Sequence, residues 1–300
     1  GFTEFSLKES DPIRYEQLYS RLRGDLVKAR ETSKEVSATP IVEQEGELCY
    51  GLFTPEGDSI AVSTGIIVHI HTMSEAIKFM INHDYEESPG IEPGDVFVNN
   101  DPHVGDVHPC DLMTLIPIFH EGELVAWAGG VNHVIDTGAI GPGSMNVSQA
   151  SRFGDGAYYT ARKIGENFDL YNSWKKEYPT KTRTPNFLKL DERTRMTGCL
   201  MIRDSVKELI GKVGVETFKQ LSREAIEDGR RGFRTRVKRT LLPGTYRGVS
   251  FVDALYEDQD NVTREYASEN HLMHAPSELH VREDGSFQVS FEGANKWGWH

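Results

Sequence analysis

Two apolar runs dominate the middle of the chain. Leu112–Phe119 and Leu124–Val131 are almost unbroken hydrophobe, and only the polar tetrapeptide His120-Glu-Gly-Glu123 separates them. That is the pattern of two buried strands joined by a tight turn. A hairpin centred near Gly122 sets Asp111 opposite His133 at its open end. Just upstream, Asp95–Asn99 reads as a short strand ended by the turn signal Asn-Asn-Asp-Pro. Asp11-Pro12 is an N-cap followed by proline at the first helical position, and Ile13, Leu18, Leu22, Leu26 and Ala29 keep helical spacing to about Val36. Glu47–Phe53 and Ser59–Val62 form a second expected hairpin around Pro55–Asp58. Thr72–Asn82 reads as a helix with Met73, Ala76, Ile77 and Met80 on one face. From Leu188 to Leu241 two or three amphipathic helices are expected, broken near Gly211 and Gly214 and ended by Pro243-Gly244. Beyond Thr245 the chain is strand-like at 246–252, 278–281 and 287–291, with a turn at Asp284-Gly285. The stretch 153–195 mixes aromatics with glycine and reads either as an irregular surface excursion or as the wall of a site. The expected class is α+β, a mixed sheet and hairpin core with amphipathic helices. Its expected parts are a site-bearing region over 1–186, a helical segment over 187–244, and the start of a β-rich region over 245–300.

Between these strands lies an unusual density of ligand side chains. Asp101, His103, Asp106, His108, Cys110 and Asp111 crowd one loop, and His133 and Asp136 follow the second apolar run. Carboxylates and imidazoles beside a core are costly unless paired or bound to a cation. The hairpin register opposes Asp111 and His133, and directly opposed residues have Cβ atoms about 4.5–5.5 Å apart. Pro109 interrupts the ladder, which lets His108 turn to the side of Asp111. His108, Asp111 and His133 therefore form a candidate two-imidazole, one-carboxylate site with open positions for substrate or water. The competing reading is a hydrogen-bonded loop corner. A thiolate from Cys110 would favour zinc, whereas a His/Asp set suits manganese, iron or zinc. Asp101 and Asp136 are expected to orient the imidazoles through their free N–H groups. His69, His83 and His120 read as structural or solvated, and His71 as a helix cap or surface group. His271, His274 and His280 form a looser cluster, but Leu272 and Met273 suggest an ordinary buried strand there. The glycine-rich loop Gly138–Met145 lacks the GxxxxGK[ST] form that cradles ATP phosphates.

Composition narrows the classes. The 300 residues suffice for one large or two medium domains. A net charge of −13 argues against nucleic acid or an anionic membrane as partner. No apolar run approaches a membrane span, and the first ten residues lack the form of a signal peptide. Three cysteines without CxxC spacing fit a reduced cytoplasmic protein. The first residue is Gly and the last strand is followed directly by Lys296–His300, so a segment of a longer polypeptide is expected.

The polar clusters resemble the hydantoinase B family. The residues that carry the resemblance are Asn100-Asp101-Pro102, Gly105–Asp111, Pro117-Ile118-Phe119, His133–Gly138 and Gly141–Ser144. The order and spacing agree from about Asp11 to the end of the chain. Hydantoinases and oxoprolinases typically have glycine at the place of Asp106, a second histidine at Val134, and a Glu-Gly step near Asp155-Gly156. These departures, with Asn146–Phe153 and the aromatic stretch after it, resemble the acetone carboxylase α branch. That resemblance implies an ATP-dependent ligase making acetoacetate from acetone and bicarbonate. It implies manganese on His108, Asp111 and His133, with Fe2+ or Zn2+ as alternatives, and ATP bound on a hydantoinase A-like β subunit. It further implies a small γ subunit in a hetero-oligomer. A hydantoinase or 5-oxoprolinase type of cyclic amide hydrolase and a non-catalytic assembly subunit remain alternative expectations.

Overall fold

The computed structural model describes residues 4–37, 39–143, 151–254 and 271–294. The chain forms two compact units, Gly1–Met145 with Asp155–Ile226, and Asn146–Gly154 with Glu227–His300.

The first unit opens with α1 (Ser6–Ser10) and α2 (Pro12–Val36), and Asp11 caps α2 by accepting from Arg14 N–H. Strands β1 (Leu48–Phe53) and β2 (Ser59–Val62) follow, then α3 (Val68–Asn82), β3 (Val96–Asn99), β4 (Asp111–His120) and β5 (Glu123–His133). Next come β6 (Arg162–Glu166), β7 (Asp169–Leu170), α4 (Asn172–Glu177), α5 (Pro185–Val213) and the start of α6 (Val215–Thr240). Strands β1 to β7 make one antiparallel sheet in the order β2-β1-β5-β4-β3-β6-β7. The β4–β5 hairpin lies near its middle, as two continuous apolar runs require.

Both faces of the sheet are covered, and alternation along the strands sorts the residues. Leu48, Tyr50, Leu52, Leu112, Ile116 and Ala128 share a core with Leu22 and Leu26 of α2 and Ile202 and Val206 of α5. Cys49, Phe53, Met113, Leu115, Trp127 and Val131 pack instead with Met73, Ala76, Ile77 and Met80 of α3. Close approach demands glycine in the first core. A Cβ on Gly198 would lie 2.1 Å from Tyr50 Cζ, and one on Gly130 would lie 2.4 Å from Tyr50 Cε1. The fully buried Arg195 ties α5 to the strands: Nε donates to Thr114 Oγ1 at 3.0 Å, and Nη1 donates to Asn132 Oδ1. Its Nη2 donates to Glu192 Oε2 at 2.8 Å and Tyr178 Oη at 3.3 Å.

The second unit contains the later part of α6 with β8 (Gly244–Ala254), β9 (His271–Val281) and β10 (Phe287–Ser290), an antiparallel sheet in the order β10-β9-β8. Arg234 pairs with Asp284 in the β9–β10 turn, and Phe233 packs on Phe287 at 5.8 Å between ring centroids.

The α+β class is as the sequence predicts, and three local expectations change. The third helix starts at Val68, so His69 and His71 lie inside it. The stretch 153–195 is not a surface excursion: β6 and β7 extend the sheet, and Trp174 is buried between Tyr159 and Tyr178. Leu272 lies on a strand but is 54% exposed, so β9 is not the ordinary buried strand its sequence suggests. Ser144 and the Asn146–Ala150 segment lie outside the described residues. Among the described residues no helix is long and apolar enough to cross a membrane.

Candidate metal centre

Asp111 pairs with His133 across the β4–β5 ladder, the register expected from the turn. Both follow the alternation of Met113 and Val131, so they belong to the face that α3 covers. His108 stands on the loop before β4, where Asp111 N–H donates to its carbonyl at 2.9 Å and closes a turn. The loop is held from behind by Asn100. Its Nδ2 donates to the carbonyls of Pro109 (2.8 Å) and Ala157 (2.9 Å), and its Oδ1 accepts from Tyr159 N–H at 2.7 Å.

The Asp111 carboxylate sits between the two rings. Oδ2 is 3.2 Å from His108 Nε2, and Oδ1 is 3.2 Å from His133 Nδ1. The ring centroids are 4.8 Å apart. Burial works against ionisation of Asp111, but hydrogen bonds from His108 and His133 outweigh it and hold the carboxyl well below its ordinary range. One ligand atom from each of the three residues lies within 4.8 Å of the others. Two ligands held at right angles about 2.2 Å from one ion lie about 3.1 Å apart. The two contacts run to different Asp111 oxygens, and the three residues together are a candidate set for one divalent cation. The set leaves coordination positions free, as catalytic metal sites require.

Two side chains the sequence reading did not select complete the surroundings. Glu47, just before β1, puts Oε2 at 3.6 Å from His133 Nδ1, while its backbone carbonyl accepts from His133 N–H at 3.2 Å. Arg30 fixes the backbone on both sides of Glu47, with Nε donating to Leu48 O and Nη2 to Gly46 O. His69, in the first turn of α3, is only 2% exposed, and its Nδ1 has no hydrogen-bond partner. Burial pulls its pKa below the ordinary value, against the charges of Asp111 and Glu47, with His108 and His133 adding to the fall. Neither residue had a local signal. Glu47 meets the site only because β1 pairs with β5, and His69 only because α3 crosses that face.

Other expected residues have different surroundings. Asp136 does not touch either imidazole. Its carboxylate accepts from Gly138 N–H, Arg183 N–H, Arg183 Nη1 and Thr182 Oγ1, and so pins the 136–140 loop to the segment before α5. The local reason is that β5 ends at His133, so Asp136 lies beyond the strand and faces that segment. Asp101 caps a short turn, accepting from His103 N–H at 3.0 Å and from Thr160 Oγ1 at 2.7 Å. The buried Cys110 thiol lies 3.9 Å from Thr137 Oγ1 and is outside the ligand cluster. Asp106 is buried with Oδ2 unpartnered, and burial followed by the charge of Asp111 pushes its pKa well up.

The fold and the candidate ligand cluster can now be set beside known proteins. The chain belongs to the hydantoinase B/oxoprolinase family, whose profile matches residues 11–300. It is 50% identical over its whole length to the acetone carboxylase alpha subunit of Xanthobacter autotrophicus, of which it spans 39%. It is 31% identical to the acetophenone carboxylase delta subunit of Aromatoleum aromaticum, over 70% of this chain and 30% of that one. The nucleotide-free structure of acetone carboxylase matches with a TM-score of 0.95 over 99% of this chain and 39% of the other. The ATP-dependent caprolactamase of Pseudomonas jessenii shares the fold at 20% identity and a TM-score of 0.75, over 94% of this chain and 46% of that one. The chain thus spans about two fifths of the length of that carboxylase alpha subunit.

Proposed function

We propose that this chain carries the metal centre of an ATP-dependent ketone carboxylase that joins acetone and bicarbonate to give acetoacetate. The observation behind this reading is the His108–Asp111–His133 cluster, in a chain 50% identical throughout to an acetone carboxylase alpha subunit. Manganese is the proposed ion, with iron or zinc as alternatives; when bound, it supplies Lewis-acid stabilisation of charge developing on a carbonyl oxygen. The protein's part is positioning. Asp111 and the two imidazoles fix one side of the site, and Asn100 and Arg30 lock the loop and strand that carry it. Asp111 is buried while both imidazoles are partly exposed, so exclusion of water from activated one-carbon species falls to the assembled enzyme.

ATP is placed on a hydantoinase A-like partner, with a small third subunit completing a hetero-oligomer, since this chain has no GxxxxGK[ST] loop. Reconstitution with those partners is the test. The complex should consume ATP only when ketone and bicarbonate are both present, and should fix labelled bicarbonate into a 3-oxoacid. Calorimetry of the isolated chain should show no stoichiometric ATP binding. Opening of a hydantoin or 5-oxoproline ring without bicarbonate fixation would replace this reading with that of an amide hydrolase.

A further inference from the structure

We propose that the cleft between α4 and the N-terminal half of α5 binds a small carboxylate with an apolar body. This site is separate from the metal centre and does not depend on the carboxylase reading. The cleft encloses about 270 Å³, just under the range of about 300–1,000 Å³ usual for small-molecule sites. It therefore suits a ligand of few atoms. Trp174 and Tyr178, which line it, belong to the core on the α2 and α5 side of the sheet, whereas Asp111 and His133 belong to the α3 side.

The inner lining is apolar and fixed. Trp174 and Tyr178 are buried and stacked with ring centroids 4.6 Å apart, and Leu170 of β7 flanks them. The Tyr178 hydroxyl accepts from Arg195 Nη2 at 3.3 Å. Glu192, which also lines the cleft, accepts from the same nitrogen at 2.8 Å. The buried Arg195 thus holds two of the walls, and the cleft is preformed. The outer lining is cationic: Lys175, Lys189 and Arg193 are exposed. Lys175 pairs with Asp169 at 2.7 Å. Lys189 and Arg193 lie one turn apart on α5, and neither forms an ion pair among the described residues.

Like charges four residues apart destabilise a helix. The chain has 46 acidic residues against 33 basic ones, yet none neutralises this pair. The acid next to Arg193 in sequence, Glu192, turns inward to Arg195 and Thr114 instead. Two cations therefore stand over an apolar floor, and together they select the ligand. A carboxylate bridges the two heads, and the guanidinium fork takes both of its oxygens. The body of the ligand displaces water from Leu170, Trp174 and Tyr178. Inorganic phosphate suits the cleft less, because it brings a second negative charge towards Glu192 and nothing apolar to fill the floor.

The test titrates the full chain with para-fluorobenzoate, read by fluorine NMR and calorimetry. One equivalent should bind with a Kd of about 1 mM or tighter. Arg193→Gln should weaken binding by about tenfold or more, and Lys189→Gln by about threefold. Both substitutions change exposed side chains and leave the buried packing in place. Lys176→Gln removes an exposed cation of α4 outside the cleft, and it should change Kd by less than about twofold. Neutral para-fluorobenzyl alcohol, which lacks the charge, and acetate, which lacks the body, should each bind at least about tenfold more weakly. Absence of saturation below about 10 mM would overturn the assignment. So would wild-type affinity in both α5 variants, an equal loss in Lys176→Gln, or inorganic phosphate binding as tightly as the probe.

Discussion

Strands β4 and β5 carry two buried polar clusters, one on each face, and the two differ in how their hydrogen bonds close. On the α5 side, every nitrogen of the Arg195 guanidinium is taken up, by Thr114, Asn132, Glu192 and Tyr178. On the α3 side, His69 Nδ1 and Asp106 Oδ2 are buried without partners, and the Asp111 carboxylate is shared between two imidazoles. The first cluster uses charge to clamp a helix to a sheet. Both clusters leave a buried nitrogen unpaired, Asn132 Nδ2 on the α5 side and His69 Nδ1 on the α3 side; what sets the second apart is a carboxylate held between two imidazoles rather than by a guanidinium. Buried charge alone does not separate scaffold from site; the state of its partners does.

The sharpest way to break this contrast is to remove the ligands. His108→Ala and His133→Ala should each lose the bound metal and lower turnover of the reconstituted complex by more than about 10³-fold. Thermal unfolding of the metal-free chain should shift to lower temperature in both variants, because each loses a hydrogen bond that the buried Asp111 carboxylate accepts, while the fold persists. Metal analysis beside calorimetry checks this, and full metal content with full activity in both variants would place the site elsewhere. Arg195→Ala should behave in the opposite way. It strands Glu192 in the core and should cost about 3–5 kcal/mol in denaturant unfolding. Whatever fraction remains folded should still bind metal. Asp136→Asn probes the boundary between the two behaviours. An Asn amide sets a donor against the donors of Arg183, so stability should fall by about 1–3 kcal/mol. Its metal affinity should stay within about threefold of the wild type. A larger loss of affinity, read by competition with a chelator, would restore Asp136 to the role its place in the sequence suggested.

The gathering of His108, Asp111 and His133 was legible because its geometry is local. A short turn at Glu121-Gly122 fixes the hairpin register back to Asp111 and His133, and Pro109 lies between His108 and Asp111. The register does shift once, between Ile118 and Phe119, but that irregularity lies next to the turn and leaves the open end aligned. Glu47 and His69 were hidden because they arrive from other elements, through strand pairing and helix packing across long sequence separations. The helix over 68–82 also lacks a Ser, Thr, Asp or Asn cap, since Ile67 stands there, so its first turn left no mark. Asp136 misled for the reverse reason. It is close to His133 along the chain, but past the strand end proximity in sequence says little about which way a side chain faces.

The candidate ligands come from two places along the chain, His108 with Asp111 at the start of β4 and His133 at the end of β5, and Glu47 before β1 reaches His133 from a third. The unfolded chain brings none of the distant ones together, so a cation that binds the assembled set is a ligand of the native state alone. Occupancy and folding are then one equilibrium. Each tenfold rise in free metal above its dissociation constant adds about 1.4 kcal/mol to the stability of the folded chain.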